Sequence, residues 1–198
     1  MPVLPSTKDV ECAVLGSTNE LVATFQAAPY AFLFESDLRA ELLVRLRSRI
    51  THKLPVPRTV AGTPPYSLAL VYSEYRHRID IACLVPQNVK DAQRTQYKGL
   101  DTFIYALPVH IGIELKYRKM GDVFDFSSCD RDYRKLSGLS STVQIPFVLA
   151  FVQDAEDLES FLVPSHRRMD PIQRILDFDS IYVITPTEIV PVLPEPKG

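Results

Sequence analysis

The stretch His110-Ile111-Gly112-Ile113-Glu114-Leu115-Lys116-Tyr117 decides how this chain is read. Alternation sets His110, Gly112, Glu114 and Lys116 on one side of a strand, and Ile111, Ile113, Leu115 and Tyr117 on the other. The second side is a core face. The first carries a carboxylate and an ammonium two residues apart, pointing the same way. Upstream, the apolar run Arg78-Ile79-Asp80-Ile81-Ala82-Cys83-Leu84-Val85 holds another carboxylate. There Ile79, Ile81, Cys83 and Val85 alternate against Arg78, Asp80, Ala82 and Leu84.

Before these strands, Leu38, Leu42, Leu43, Leu46 and Ile50 recur at helical spacing and predict a helix over 35–50. A shorter helix is expected from Glu20 to Ala28, capped by Thr18 or Asn19. Pro55, Pro57, Pro64 and Pro65 make a loop. Ser67 to Glu74 reads as a strand that Tyr75 to His77 turn back into the Asp80 strand as a hairpin. Val89 to Leu100 is a polar insertion, and Thr102 to Leu107 fits either a strand or a helix. After Lys116, Ser127 with Asp130 fits a capping box for a helix whose apolar side is Cys129, Tyr133 and Leu136. Val143 to Val152 is an almost unbroken apolar run, as in a buried central strand. Ala155 to Leu162 and Pro171 to Phe178 are expected as short helices. Ile181 to Thr185 and Glu188 to Val192 are expected as closing strands. The order predicts one α/β domain over 1–198 with a central mixed sheet, an insertion near 86–108 and a C-terminal extension near 163–198.

The 198 residues are 46% hydrophobic and 23% charged, enough for a sizeable core and unlike a disordered chain. No apolar stretch approaches spanning length, so no membrane partner is expected. Met1-Pro2-Val3-Leu4-Pro5 lacks the basic and apolar regions of a signal peptide. Cys12, Cys83 and Cys129 are scattered, with no CxxC pair, which argues against structural zinc and a disulfide framework and toward a reducing cytoplasm. The formal charge of -2 does not announce a nucleic-acid binder; a local basic patch has to supply one.

A hard divalent cation such as Mg²⁺ takes oxygen ligands, commonly one or two carboxylates plus water and phosphate. Asp80 and Glu114 supply such a pair if their strands are neighbours, and the Leu115 carbonyl is a third candidate. Lys116 then sits beside the cation, placed to orient a water and to stabilise charge on phosphorus, with its own pKa expected to fall. Glu35 and Arg39 fall within the Leu38/Leu42/Leu46 stripe, where an unpaired charge is costly. Either they pair with each other, or Glu35 reaches the rim of the site. Glu74 reads as a surface or hairpin-end carboxylate, and His110 as structural or exposed.

Acid-x-Lys alone recurs by chance in chains of this size; its place in apolar strands, after an acidic helix and before a basic one, gives it meaning. At these residues the chain resembles the PD-(D/E)XK nucleases, the restriction-endonuclease-like superfamily. The match is Phe34-Glu35-Ser36-Asp37-Leu38-Arg39 on a helix, Arg78-Ile79-Asp80-Ile81 on a strand and Ile113-Glu114-Leu115-Lys116 on the next. It spans about residues 29–153. It implies a restriction-endonuclease-like α-β-β-β-α-β core, Asp80 and Glu114 as metal ligands, Lys116 as the catalytic lysine and Glu35 as the first-helix acid. Mg²⁺, replaceable by Mn²⁺, is the implied cofactor. The chain departs from the pattern with Ile79 in place of proline, with 34 residues between Asp80 and Glu114, and with no Gln-x-x-x-Tyr after the lysine.

Phosphate contacts are expected from Arg118, Lys119, Arg131, Arg134 and Lys135, which follow the catalytic strand. Arg45, Arg47, Arg49, His52, Lys53 and Arg58 form a second basic stretch, and Arg167 with Arg168 a third. The expected activity is Mg²⁺-dependent hydrolysis of DNA phosphodiesters, and cutting two strands would call for a homodimer. The alternative is a catalytically silent nuclease-fold module that binds DNA or a protein partner. A small-molecule α/β enzyme finds no glycine-rich phosphate loop or nucleophile elbow, and the chain has only seven glycines.

Overall fold

The computed structural model of the chain describes residues 5–55, 67–84, 96–97, 100–101, 107–163 and 165–194. The Pro57–Pro65 loop, Arg58 and most of the expected 86–108 insertion, including Thr102 to Ala106, lie outside the described residues.

Helix α1 spans Thr7–Ala27 and so begins thirteen residues, between three and four turns, before the expected start at Glu20. Its cap is Ser6, not Thr18 or Asn19: the Asp9 amide donates to the Ser6 hydroxyl, and Asp9 accepts from the Ser6 backbone amide at 2.8 Å. Helix α2 spans Glu35–Arg49 and buries Leu38, Leu42 and Leu46, as the stripe requires. Asp37 in its first turn accepts from the amides of Leu33 and Phe34, both at 2.9 Å. Strands β1, Lys53–Pro55, and β2, Ser67–Ala69, pair as a small antiparallel ribbon. The expected Ser67–Glu74 strand is thus divided, its second part being β3, Val71–Tyr75. A single turn of 3-10 helix at Arg76–Arg78 leads into β4, Ile79–Leu84. Glu74, His77 and Arg78 take positive φ of 53°, 62° and 56° through this hairpin.

Strands β5, Gln96–Tyr97, and β6, Leu100–Asp101, pair with each other as a separate two-stranded ribbon among the described residues. Then come β7, Val109–Arg118, helix α3, Ser127–Gly138, and β8, Val143–Val152. Helix α3 lacks the Ser127/Asp130 box: Ser127 lies inside the first turn, and its amide donates to Asp125 at 3.0 Å. A 3-10 turn at Ala155–Asp157 continues into the four-residue α4, Leu158–Phe161. Strands β9, Arg167–Arg168, β10, Ile181–Ile184, and β11, Ile189–Leu193, complete the order. The stretch 171–178 is not helical; Ile172 bridges to Ile189 and the Ile175 amide donates to Asn19.

Seven strands form one mixed sheet in the order β3-β4-β7-β8-β10-β11-β9. The pairs β3–β4 and β4–β7 are antiparallel, β7–β8 and β8–β10 are parallel, and β10–β11 and β11–β9 are antiparallel. The C-terminal residues therefore extend the main sheet. The fold is α/β with helices flanking a mixed sheet.

Strand β7 is central, with β4 on one side and β8 on the other. Tyr117 sits edge-on to Phe25 of α1 and donates its hydroxyl to the Phe32 carbonyl at 2.7 Å. On the other side, a Cβ on Gly112 would lie 3.0 Å from Val143 and 3.1 Å from Leu136 of α3. Glycine at 112 thus relieves crowding from Val143 of β8 and Leu136 of α3, either of which would have to shift to admit a side chain. Both faces of β7 are covered, and the side that carries the charged residues is buried as well at His110 and Glu114, which are only 5% and 3% exposed. His110 is structural, held between Gln144 at 2.7 Å and Glu11 at 2.9 Å.

Candidate active site

The β4–β7 ladder pairs Ile81 with Ile113 and Ala82 with Gly112. One step further, Asp80 falls opposite Glu114, and opposed residues of an antiparallel pair project to the same face, about 5 Å apart at Cβ. Past the last ladder pair, the Leu115 amide donates to Asp80 Oδ2 at 2.9 Å, so a side-chain carboxylate takes the place of a backbone acceptor. The Leu115 carbonyl leaves β7 on that same edge, since the N–H and C=O of one strand residue point alike.

Each carboxylate of this pair also meets a cation. Arg39 from α2 reaches Asp80 Oδ1 at 3.2 Å and pairs with Glu74 as well. Lys135 from α3 donates to Glu114 Oε1 at 2.6 Å and to the Arg78 carbonyl at 3.0 Å. Lys116, two residues beyond Glu114, pairs with Asp132 of α3 at 2.7 Å. Glu35, at the start of α2, feels the charges of Lys116, Asp80, Asp132 and Arg39. The four expected residues thus share one neighbourhood. Arg39 does not pair with Glu35 in the described contacts; it turns to Glu74 and Asp80 instead.

Burial pushes the Glu114 carboxyl up to about 8, against the pull of Lys135 and with added repulsion from Asp80 and Asp132. Burial likewise raises Glu35, only partly offset by Lys116. Lys116 runs opposite to expectation. Burial works to lower it, but the hydrogen bond and charge of Asp132, with Glu35 and Asp80, outweigh burial and raise it. Lys116 is therefore a firmly charged ammonium.

The basic residues divide differently from expectation. Arg118 is buried, donates to the Phe124 carbonyl at 3.0 Å and Ser160 at 2.8 Å, and lies over the Phe161 ring. Its guanidinium holds the β7–α4 corner together and offers nothing to a phosphate. Lys119 stands over the Phe34 ring at 5.0 Å. Lys135 turns inward to Glu114 and does not share an outer face with Arg131 and Arg134, which are exposed on α3. Arg45 and Arg49 are engaged with Glu20, and Arg47 with the Val71 carbonyl. Arg168 pairs with Glu159.

Asp132 is the residue that sequence reasoning passed over. It lies three positions after Cys129 and four before Leu136, inside the apolar stripe of α3. The argument that singled out Glu35, a charge on a core-facing stripe, applies to it equally.

Asp80, Glu114, Glu35 and the Leu115 carbonyl are all hard oxygen donors, the type that Mg²⁺ takes, and two carboxylates meet its usual demand on a protein. Among the described residues, however, no group of three or more His, Cys, Asp or Glu side chains is arranged to hold a metal ion. The chemistry of the donors fits the ion; Arg39 and Lys135 are what now neutralise them. Among the described residues no helix is long and apolar enough to cross a membrane. The chain matches no family model, no curated protein and no solved structure.

Proposed function

We propose that this chain is a Mg²⁺-dependent nuclease of the PD-(D/E)XK kind, hydrolysing phosphodiester bonds of DNA. One observation carries the proposal: β4 and β7 are paired neighbours whose register, continued one step past Ile81–Ile113, sets Asp80 opposite Glu114, with Lys116 two residues along the same face. The succession α2, β3, β4, β7, α3, β8, with β7 parallel to β8, also agrees with a restriction-endonuclease-like core.

Asp80, Glu114 and the Leu115 carbonyl would hold the ion. Bound there, Mg²⁺ supplies Lewis-acid polarisation of the phosphate and a more acidic attacking water. Lys116 stays protonated because Asp132 holds it, and so it presents a fixed positive charge to the oxygens that gain charge at phosphorus. Asp132 positions that ammonium. Glu35, whose proton is retained more strongly by burial, lies at the rim, where it can hold a water or a proton next to Lys116. Arg131 and Arg134, exposed on α3, and Lys119 lie on the elements that follow the Glu114 strand and would meet the DNA backbone there.

A second reading has an observation of its own. Arg39 on Asp80, Lys135 on Glu114 and Asp132 on Lys116 pair every member of the triad. A self-neutralised cluster of this sort suits a silent module that binds DNA or a protein. Incubation of plasmid and single-stranded DNA with Mg²⁺, Mn²⁺ or EDTA separates the two. Metal-dependent cutting that Asp80→Ala and Lys116→Ala both abolish supports the nuclease. DNA binding without cutting supports the silent module.

A further inference from the structure

We infer that Lys135 is a tethered counter-ion, which a divalent cation must displace from Glu114, so that helix α3 sets the metal affinity of the site. The inference rests on the metal-site reading above and deepens it. The Lys135 ammonium lies 2.6 Å from Glu114 Oε1, so it neutralises the very carboxylate that the ion needs. A divalent cation shared by Asp80 and Glu114 would stand within a few ångströms of this ammonium, and two like charges on one carboxylate repel.

The two lysines of the cluster are held differently. Lys116 is anchored on Asp132, a carboxylate outside the proposed ligand set. Lys135 is anchored on a ligand and on the Arg78 carbonyl, and its side chain is one-third exposed on a flexible stem. It can therefore swing to water while Lys116 stays. The Arg78 carbonyl belongs to the hairpin in which Glu74, His77 and Arg78 occupy the left-handed region that non-glycine residues avoid. Lys135 thus ties α3 to a strained turn just before Asp80. Displacing it would free the turn and the carboxylate together.

The test is a Mn²⁺ titration of the metal-free full chain, followed by electron paramagnetic resonance, for the parent, Lys135→Gln, Lys135→Arg and Glu114→Gln. Lys135→Gln is expected to bind Mn²⁺ about five- to tenfold more tightly than the parent, as loss of a partly exposed like charge implies. Lys135→Arg keeps the charge and is expected to stay near the parent value. Glu114→Gln is expected to lose the site. Equal affinity in the parent and Lys135→Gln, with Glu114→Gln still abolishing binding, overturns the counter-ion role and leaves the metal site standing. Absence of any Glu114-dependent Mn²⁺ binding in all variants overturns the role and the metal site together.

Discussion

Replacing Glu114 by glutamine separates what this side chain does for function from what it does for the fold. The carboxyl is 3% exposed and ionises at about 8 in the folded chain, against an ordinary 4.5. Its proton is bound more tightly folded than unfolded, so its contribution is favourable below pH 4.5 and is lost as pH rises toward 8. At ~1.4 kcal/mol per pH unit, the difference amounts to at most ~5 kcal/mol. Coupling to Lys135 and Asp80, and the loss of the ion pair in the variant, reduce the realistic gain to ~1–2 kcal/mol. Glutamine keeps an oxygen for Lys135 and removes the charge. Urea unfolding of both proteins at pH 5 and pH 8.5 measures the effect. The glutamine variant is expected to be the more stable at pH 8.5, with the gap nearly closed at pH 5. A gap independent of pH, or a less stable variant at pH 8.5, would refute a carboxylate kept there at a cost to folding.

Three further outcomes follow from the same geometry. Gly112→Ala places a methyl against Leu136 and Val143 and should cost ~1–3 kcal/mol in urea unfolding, a loss that Leu136→Ala in the same chain partly restores. Arg118→Met should destabilise by ~1–3 kcal/mol through loss of its bonds to Phe124 and Ser160, while the salt dependence of DNA binding keeps its slope; a shallower slope returns Arg118 to the phosphate contacts. Asp132→Asn should slow cleavage ~10- to 100-fold by releasing Lys116 and Glu35→Ala by less, and a wild-type rate in either removes that residue from the site.

Helix α2 and strands β4, β7 and β8 were legible because each carries one uninterrupted period. Helix α1 was not: buried Ser17 and Thr18 interrupt its apolar stripe, so its start was placed at Glu20 and the Ser6–Asp9 cap passed unnoticed. The 171–178 stretch has helical composition, but Asn19 and Ile189 take its backbone groups from far along the chain. Asp80, Glu114 and Lys116 were visible because strand alternation alone fixes which side they take. Their partners were not visible, because the reach of Arg39, Lys135 and Asp132 depends on how helices sit over the sheet. Arg118 looked like a surface cation for the same reason; Ser160 and Phe161, which bury it, lie more than forty residues away.

Anomalous diffraction from crystals of the chain grown or soaked in Mn²⁺ tests the shared-ion claim most directly. The account predicts a Mn²⁺ peak between strands β4 and β7, ~2.1–2.2 Å from an oxygen of each of Asp80 and Glu114, with the Lys135 ammonium moved off Glu114. Mn²⁺ bound elsewhere, with Arg39 and Lys135 still seated on the two carboxylates, would contradict it.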